Sequence, residues 1–428
     1  MQKQIGDKAG FSYAWVVLFV LFIGNLASFG MRSSFGAYIS LWEQEFSVGR
    51  ALVTAMPLIG YALFALGQPI AGKLNDRIGR GIVTKVSIIV AGICLILISQ
   101  SSNIWQIFIL YGFIFCPSIA GCSSAITAAV VTKWFDKKRG LAMGLVMAGL
   151  ASGQLILFPV NVFLIERFGG WRPAMLTLGI IITIVAGSLD LIFLRSRPEE
   201  KGLKPYGYEG AENGGNNSGI ANKEAEKSLS LSSILKVKAF WFLLVPYFVC
   251  GFTDVGLIGI HLYPLAEEWK GFPKADVTIA ISLIAVCNIA GTITTGHLSD
   301  HFNRKKQLAV IYLIRAASYV FLIMLQQPWL LFPFAIVFGA VEMASIAPTN
   351  SLAVQLFNGQ SAGFIIGFVA LVHYIGGSLG SFVPGLVYDL TGSYTIALVL
   401  GVVLLLVASA TVMRFPEFDK KQAEKSVK

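Results

Sequence analysis

The segment Gly72-Lys73-Leu74-Asn75-Asp76-Arg77-Ile78-Gly79-Arg80 returns later in the chain as Gly296-His297-Leu298-Ser299-Asp300-His301-Phe302-Asn303-Arg304-Lys305. Gly, Leu, Asp and Arg recur at an offset of 224 residues. Fainter echoes pair Phe135 with Phe357, Gly144 with Gly367 and Gly170 with Gly392, at offsets of 222 or 223. A solvated basic loop would account for the arginines alone. It would not account for Gly and Asp at fixed spacing twice, so the chain reads as a duplication.

Working outward, each copy of the motif follows the second apolar run of its half. Apolar runs are read at 14–40, 51–71, 82–101, 104–132, 141–165 and 172–194 in the first half. The second half has 239–266, 276–297, 307–326, 328–356, 362–387 and 394–413. About 20 apolar residues cross a bilayer, and the Asn, Gly and Pro that interrupt several runs are tolerated where neighbouring helices satisfy the freed backbone groups. Of 428 residues, 55% are hydrophobic and 13% charged, with a mean hydropathy of +0.72. A soluble chain carries about 25% charged residues, so a water-soluble fold is excluded. The expected fold is an all-α membrane protein of twelve transmembrane helices in two six-helix repeats. Six is even, so the repeats run parallel through the membrane.

The net charge of +10 does not mark a nucleic-acid surface, because it follows the loops. With the N-terminus inside, 26 of the 33 lysines and arginines fall in inner loops and tails and 5 in outer loops. That bias places both termini in the cytoplasm of a multi-pass cell (plasma or inner) membrane protein. The first apolar run exceeds the length of a signal-peptide core and lacks a clear cleavage site. Residues 196–238 form the one long polar stretch, centred on Gly210-Ala-Glu-Asn-Gly-Gly-Asn-Asn-Ser218, a composition typical of flexible linkers. The expected division is therefore an N-terminal bundle at 1–195, a linker at 196–238 with an interfacial helix near Leu229–Lys238, and a C-terminal bundle with a short tail at 239–428. All five cysteines lie in apolar runs without metal-ligand spacing, so they read as small hydrophobes.

Parallel six-helix repeats joined by a long linker resemble the major facilitator superfamily, whose halves are related by an axis along the membrane normal. The Gly-x-Leu-x-Asp-Arg-x-Gly-Arg loop resembles that family's signature. The resemblance implies a cytoplasmic gate at Gly72, Asp76, Arg77, Gly79, Arg80, Gly296, Asp300 and Arg304. Its glycines would allow close packing and sharp turning, and its arginines would bridge to acids on neighbouring helices. Trp134-Phe135-Asp-Lys-Lys-Arg139-Gly140-Leu-Ala-Met-Gly144, Gly170-Trp171-Arg172, Arg197-Pro198-Glu-Glu-Lys-Gly202-Leu-Lys-Pro205-Tyr-Gly207 and Asp389-Leu-Thr-Gly392-Ser-Tyr394 are similar to the oxalate/formate antiporter and monocarboxylate porter branch. The chain departs from that branch on the eighth helix, where the acid and arginine of the porters align with Asn288 and Thr292. It also lacks the eleventh-helix lysine of the exchangers, having His373 and Tyr374 among its polar residues there. The porters' first-helix lysine falls near Phe35, and Arg32, one turn earlier, is the cation that can take its place.

Ionisable residues inside spans cost several kcal/mol unless paired or hydrated, on the order of 2.5–3.5 by insertion scales. Arg315 and Glu342 sit at similar depths on spans 9 and 10, so an intramembrane ion pair is expected, with proton coupling through Glu342 as the alternative. Asp254 and His261 share one face of span 7, seven residues apart, and both are candidates for substrate binding or proton coupling. The remaining substrate-binding candidates are Asn25, Arg32, Tyr111, Asn288, Asn350 and His373.

The expectation is a secondary active transporter that moves a small organic solute by alternating access, favouring a carboxylate anion held by Arg32, with protons as coupling ion. The alternative is a proton-linked carrier of a cationic or zwitterionic compound bound by Asp254 and Glu342. No nucleotide-binding motif supports ATP drive, no nucleophile–base or metal arrangement supports an enzyme, and no cofactor is expected. The expected partners are the solute, the bilayer and protons, with no nucleic acid, and the protein is expected to act as a monomer.

Overall fold

The computed structural model describes residues 12–79, 81–208, 231–357 and 361–416; Arg80 and the side chains of Asp76, Leu231 and Asp300 lie outside that description. Among the described residues, twelve helices are long and apolar enough to cross a membrane: span 1 (Tyr13–Phe46), span 2 (Arg50–Asn75), span 3 (Ile82–Ser99), span 4 (Ile104–Trp134), span 5 (Arg139–Phe168) and span 6 (Trp171–Phe193). They continue with span 7 (Lys238–Trp269), span 8 (Lys274–Ser299), span 9 (Arg304–Met324), span 10 (Pro328–Leu356), span 11 (Ala362–Thr391) and span 12 (Thr395–Val412). The protein is an all-helical multi-pass membrane protein, as its composition requires.

The long helices are not uniform. Span 4 carries a π-helical turn at Ile109–Phe115, span 6 at Ile182–Ala186, and span 7 two, at Phe252–Ile258 and Leu265–Trp269. A π turn inserts an extra residue and re-aims the side chains beyond it, and such turns are frequent at functional sites. Asp254 lies inside the first π turn of span 7.

The chain forms two compact units. The first comprises Met1–Arg32 and Leu66–Gly219, the second Ser33–Ala65 and Ile220–Lys428. In the first unit, spans 1 and 5 touch through glycine: a Cβ on Gly149 would lie 2.7 Å from the Phe22 carbonyl oxygen, and one on Gly153 would overlap the Leu26 carbonyl. In the second unit, spans 7 and 11 repeat the contact, with Gly376 against the Phe248 carbonyl and Gly380 against the Phe252 carbonyl. Spans 3 and 6 likewise meet at Gly92 and Gly179, and spans 9 and 12 at Gly401, which faces the Tyr319 ring. Small residues let helix backbones approach closely where lipid gives no hydrophobic drive for association. The duplication is thus visible in packing. Its glycines on spans 5 and 11 correspond at an offset of 227, one helical turn away from the Gly144–Gly367 echo.

Past span 6, the backbone of Tyr206 bonds to the loop between spans 4 and 5. Tyr206 N–H donates to the Trp134 carbonyl at 2.7 Å, and Asp136 and Lys137 N–H donate to the Tyr206 carbonyl at 3.0 and 3.1 Å. Gly207 takes φ +79° against the Lys137 side chain, where any Cβ would crowd it. Thus the Arg197-to-Gly207 motif is an ordered strap on the first unit. Residues 209–230 of the linker lie outside the described residues, and a one-turn helix at Leu231–Leu235 leads into span 7.

Candidate functional site

The close approach of spans 7 and 11 is what assembles the polar centre of the second unit. A Cβ on Gly251 would overlap the main-chain carbonyl of His373. With glycine there, the His373 ring lies against Tyr247, centroids 4.5 Å apart, and its Nδ1 is 3.2 Å from the Tyr247 carbonyl oxygen. Its Nε2 faces Asp254 Oδ1 at 3.8 Å. The other carboxylate oxygen, Oδ2, lies 3.7 Å from Nη1 of Arg315, which reaches in from span 9. Val255 N–H also donates to Oδ1 at 2.6 Å.

Arg315 is fully buried and satisfied on several sides. Nη1 donates to Cys250 Sγ at 2.9 Å, Nε and Nη2 donate to the Val341 carbonyl at 3.1 and 2.7 Å, and Nη2 also meets the Glu342 carbonyl. The expected Arg315–Glu342 ion pair is therefore corrected. The two residues do lie at one depth, but they meet through the Glu342 main chain, and the acid facing the guanidinium is Asp254. The Glu342 carboxylate instead accepts from Asn288 Nδ2 at 2.5 Å, while Asn288 Oδ1 accepts from Met343 N–H at 3.2 Å. Asn288 ties span 8 to span 10 through both ends of its amide.

Sγ of Cys250, the Asp254 carboxylate and Nε2 of His373 all fall within 4.8 Å of one another, a spacing metal centres use. The Arg315 guanidinium beside Sγ already supplies a fixed positive charge, which opposes a second, divalent one. We assign no metal here.

A second polar cluster joins the far end of span 1, the start of span 2 and the second-half helices. Arg50 is buried: Nε and Nη2 donate to the two Glu43 oxygens at 2.6 and 2.7 Å, Nη2 meets Glu268, and Nη1 donates to the Tyr394 hydroxyl at 2.9 Å. The guanidinium also sits 4.0 Å over the Tyr388 ring. His261 belongs to this cluster, with Nδ1 3.0 Å from the Tyr394 hydroxyl and Nε2 2.6 Å from the Ser381 carbonyl oxygen. A carbonyl only accepts, so Nε2 carries the proton. Nδ1 then accepts from Tyr394, whose oxygen accepts from Arg50. Burial holds the Tyr394 hydroxyl above its ordinary pKa, so it stays a donor.

The other sequence candidates scatter. Asn25 is buried and bonds between helices of the first unit, donating to the Val146 carbonyl at 3.1 Å and accepting from Thr127 at 3.3 Å. Tyr111 stacks on Phe115 within the span 4 π turn. Arg32 ends its helix buried, 4.9 Å over the Phe29 ring. Asn350 is half-buried on the second helical stretch of span 10. Of the gate residues, Gly79 makes a left-handed turn at φ +63°, as a sharp bend demands. Gly72 and Gly296 face open space, so close packing does not explain them. Arg304 donates to the Ser299 carbonyl at 3.2 Å and to Gln355 Oε1 at 3.4 Å.

Four participants escaped the sequence reading. Arg50 looked like an outer-loop charge, Tyr394 and Asp389 figured only in a motif resemblance, and Cys250 looked like a small hydrophobe. The signal available was the Asp389-to-Tyr394 motif, which carried the chemistry without showing what it met.

The family model for the Major Facilitator Superfamily matches residues 21–381 and, separately, 249–428. The chain belongs to the Major Facilitator Superfamily. It is a transporter rather than an enzyme. Among similar proteins, the uncharacterized MFS-type transporter YcxA of Bacillus subtilis (strain 168) is 22% identical, over 96% of this chain and 97% of its own length. Monocarboxylate transporter 12 of Mus musculus is 25% identical, over 91% of this chain and 82% of its own. Monocarboxylate transporter 13 of Rattus norvegicus is 23% identical, over 95% and 90%. A crystal structure of a bacterial homolog to the human lysosomal transporter Spinster superposes with a TM-score of 0.74 at 17% identity, covering 95% of this chain and 97% of that one. That likeness establishes the superfamily fold.

Proposed function

We propose that this superfamily member is a proton-linked carrier of a small organic anion, with a monocarboxylate as the substrate class, working as a monomer by alternating access. The observation that carries the reading is the buried Asp254–Arg315 pair with His373 beside it. An acid, a permanent cation and an imidazole gathered among transmembrane helices can take up and release a proton, which a purely structural ion pair does not need. The names of the relatives, monocarboxylate transporters 12 and 13, support the same substrate class.

Arg32, a buried cation in the last turn of the Tyr13–Ser33 helix, is the group we assign to the substrate carboxylate. The lysine and arginine bias of the loops supports cytoplasmic termini, and the repeated motif around Arg77 and around Arg304 is assigned as the gating element of each half. The cationic-substrate alternative is weakened because Asp254 already faces Arg315.

Purified protein in proteoliposomes, offered labelled lactate, pyruvate, oxalate and formate with and without an inward proton gradient, tests this. Gradient-driven uptake in the parent, lost in Arg32→Gln, is the expected result. No uptake of any of the four by folded protein would remove the carboxylate reading and turn the search to cationic solutes.

A further inference from the structure

We propose that the coupling proton is seated between His373 Nε2 and Asp254 Oδ1, so that His373, and not Asp254 alone, carries it. The inference rests on the proton-linked reading above and names where the proton goes. Its argument is one of lone pairs. The Tyr247 main-chain carbonyl at 3.2 Å can only accept, so Nδ1 of His373 carries a hydrogen. In the neutral ring, Nε2 then presents a lone pair to a carboxylate oxygen 3.8 Å away. Two acceptors facing each other inside a membrane protein repel. A proton on Nε2 converts the contact into a charge-assisted one.

The surroundings favour a proton that comes and goes. Asp254 has Arg315 on one side at 3.7 Å and His373 on the other, so the carboxylate is never without a cation. Cys250 Sγ lies 3.3 Å from Oδ2, and Ser345 Oγ lies 3.2 Å from the same sulfur. The other titratable groups facing the pair are Tyr247 on span 7, Tyr374 on span 11, Tyr312 and Tyr319 on span 9 and Glu342 on span 10. An imidazole is the side chain whose ordinary titration lies nearest neutral pH. The pair is also placed on two closely packed helices: the glycines at 251, 376 and 380 bring the backbones of spans 7 and 11 together. Any sliding of span 11 against span 7 changes the Nε2–Oδ1 distance and so the hold on the proton. A positive charge gained at His373 favours an anion nearby, and by linkage the anion favours the protonated ring. Across one cycle the balance is simple: water on one side gives up a proton, the Nε2–H bond forms, and the same proton returns to water on the other side.

The test compares the parent, His373→Gln and Asp254→Asn in proteoliposomes with labelled lactate as probe, each first shown to be monodisperse with a parent-like melting curve. Two fluxes are read: accumulation driven by an inward proton gradient, and counterflow against unlabelled lactate at equal pH, which needs no net proton movement. His373→Gln is expected to lose gradient-driven accumulation by about tenfold or more, the size of an ordinary coupling term, while keeping counterflow. Asp254→Asn is expected to shift the pH dependence of uptake toward acid, since the protonated ring loses its anionic partner. In lightly buffered detergent solution, adding lactate to the parent should draw protons from the medium, and adding it to His373→Gln should not. A His373→Gln protein that accumulates lactate with the parent's pH profile overturns the proposal and leaves the carboxylate reading intact. Loss of counterflow together with accumulation in folded His373→Gln also overturns it, by making the residue part of the substrate site. Absence of gradient-driven uptake in the parent removes the function reading itself.

Discussion

The Asp389 carboxylate accepts the main-chain N–H groups of Arg50 and Ala51, each at 2.8 Å, from a position 339 residues beyond Arg50. The first turn of a helix leaves its N–H groups without partners, and here span 2 receives its cap from span 11. Gly49 makes room for it, since a Cβ there would lie 2.6 Å from Asp389 Oδ2. Losing a side-chain cap costs about 0.5–2 kcal/mol, so Asp389→Ala is expected to lower the melting temperature of the purified protein and Asp389→Asn to lower it less. Equal melting of Asp389→Ala and the parent would show that the cap contributes nothing.

Arg50→Lys tests the buried fork. Lysine offers a compact point charge, which cannot hold both Glu43 oxygens in a planar fork and reach the Tyr394 hydroxyl as well. Its melting temperature should fall clearly below that of Glu43→Gln, which removes one partner of a guanidinium that retains Glu268 and Tyr394. The reverse order would mean that the charge, rather than the geometry, is what matters.

Tyr394→Phe removes the hydroxyl that joins Arg50 to His261. Because burial raises the Tyr394 pKa in the folded protein, the unfolded chain ionises first as pH rises through the ordinary tyrosine range near 10. The folded state then binds more protons, and stability falls with pH there. Chemical denaturation in alkaline detergent solution should show the parent losing stability more steeply above about pH 10 than Tyr394→Phe does.

Asn288→Ala leaves the Glu342 carboxylate without its donor. An unsatisfied buried group costs about 1–3 kcal/mol, so this variant should melt well below the parent. Adding Glu342→Gln should return part of the loss, because a neutral amide tolerates the gap better than a carboxylate. Strict additivity of the two substitutions would show that the residues do not interact.

Glycine substitutions separate packing from gating. Gly376→Ala drives a methyl group into the Phe248 carbonyl and should cost about 1–3 kcal/mol, as overpacking does. Gly72→Ala meets open space within a helix and should leave the melting temperature unchanged or raised, since alanine is the better helix former by about 0.8–1 kcal/mol. Transport that collapses in stable Gly72→Ala protein would place the requirement for glycine at a step of the cycle rather than in this packing.

The chain's own order of residues determined the class of fold. Twelve apolar runs, the repeated Gly-x-Leu-x-Asp motif and the loop charge bias are local or periodic properties, and the bilayer reads them segment by segment. Individual polar residues such as Asp254 and Arg315 also stood out, because a charge in an apolar run is conspicuous wherever it ends up. Which charge meets which was decided only in three dimensions. Depth along two helices predicted Arg315 beside Glu342; the guanidinium meets Glu342 through its main chain and faces the carboxylate of Asp254, which lies in a π turn of the kind that re-aims side chains. The same holds for Arg50, an unremarkable loop charge until Glu43, Glu268, Tyr394 and Asp389 close around it from segments far apart in the chain. Periodicity encodes which face of a helix is apolar; the contacts that fix its rotation belong to its neighbours.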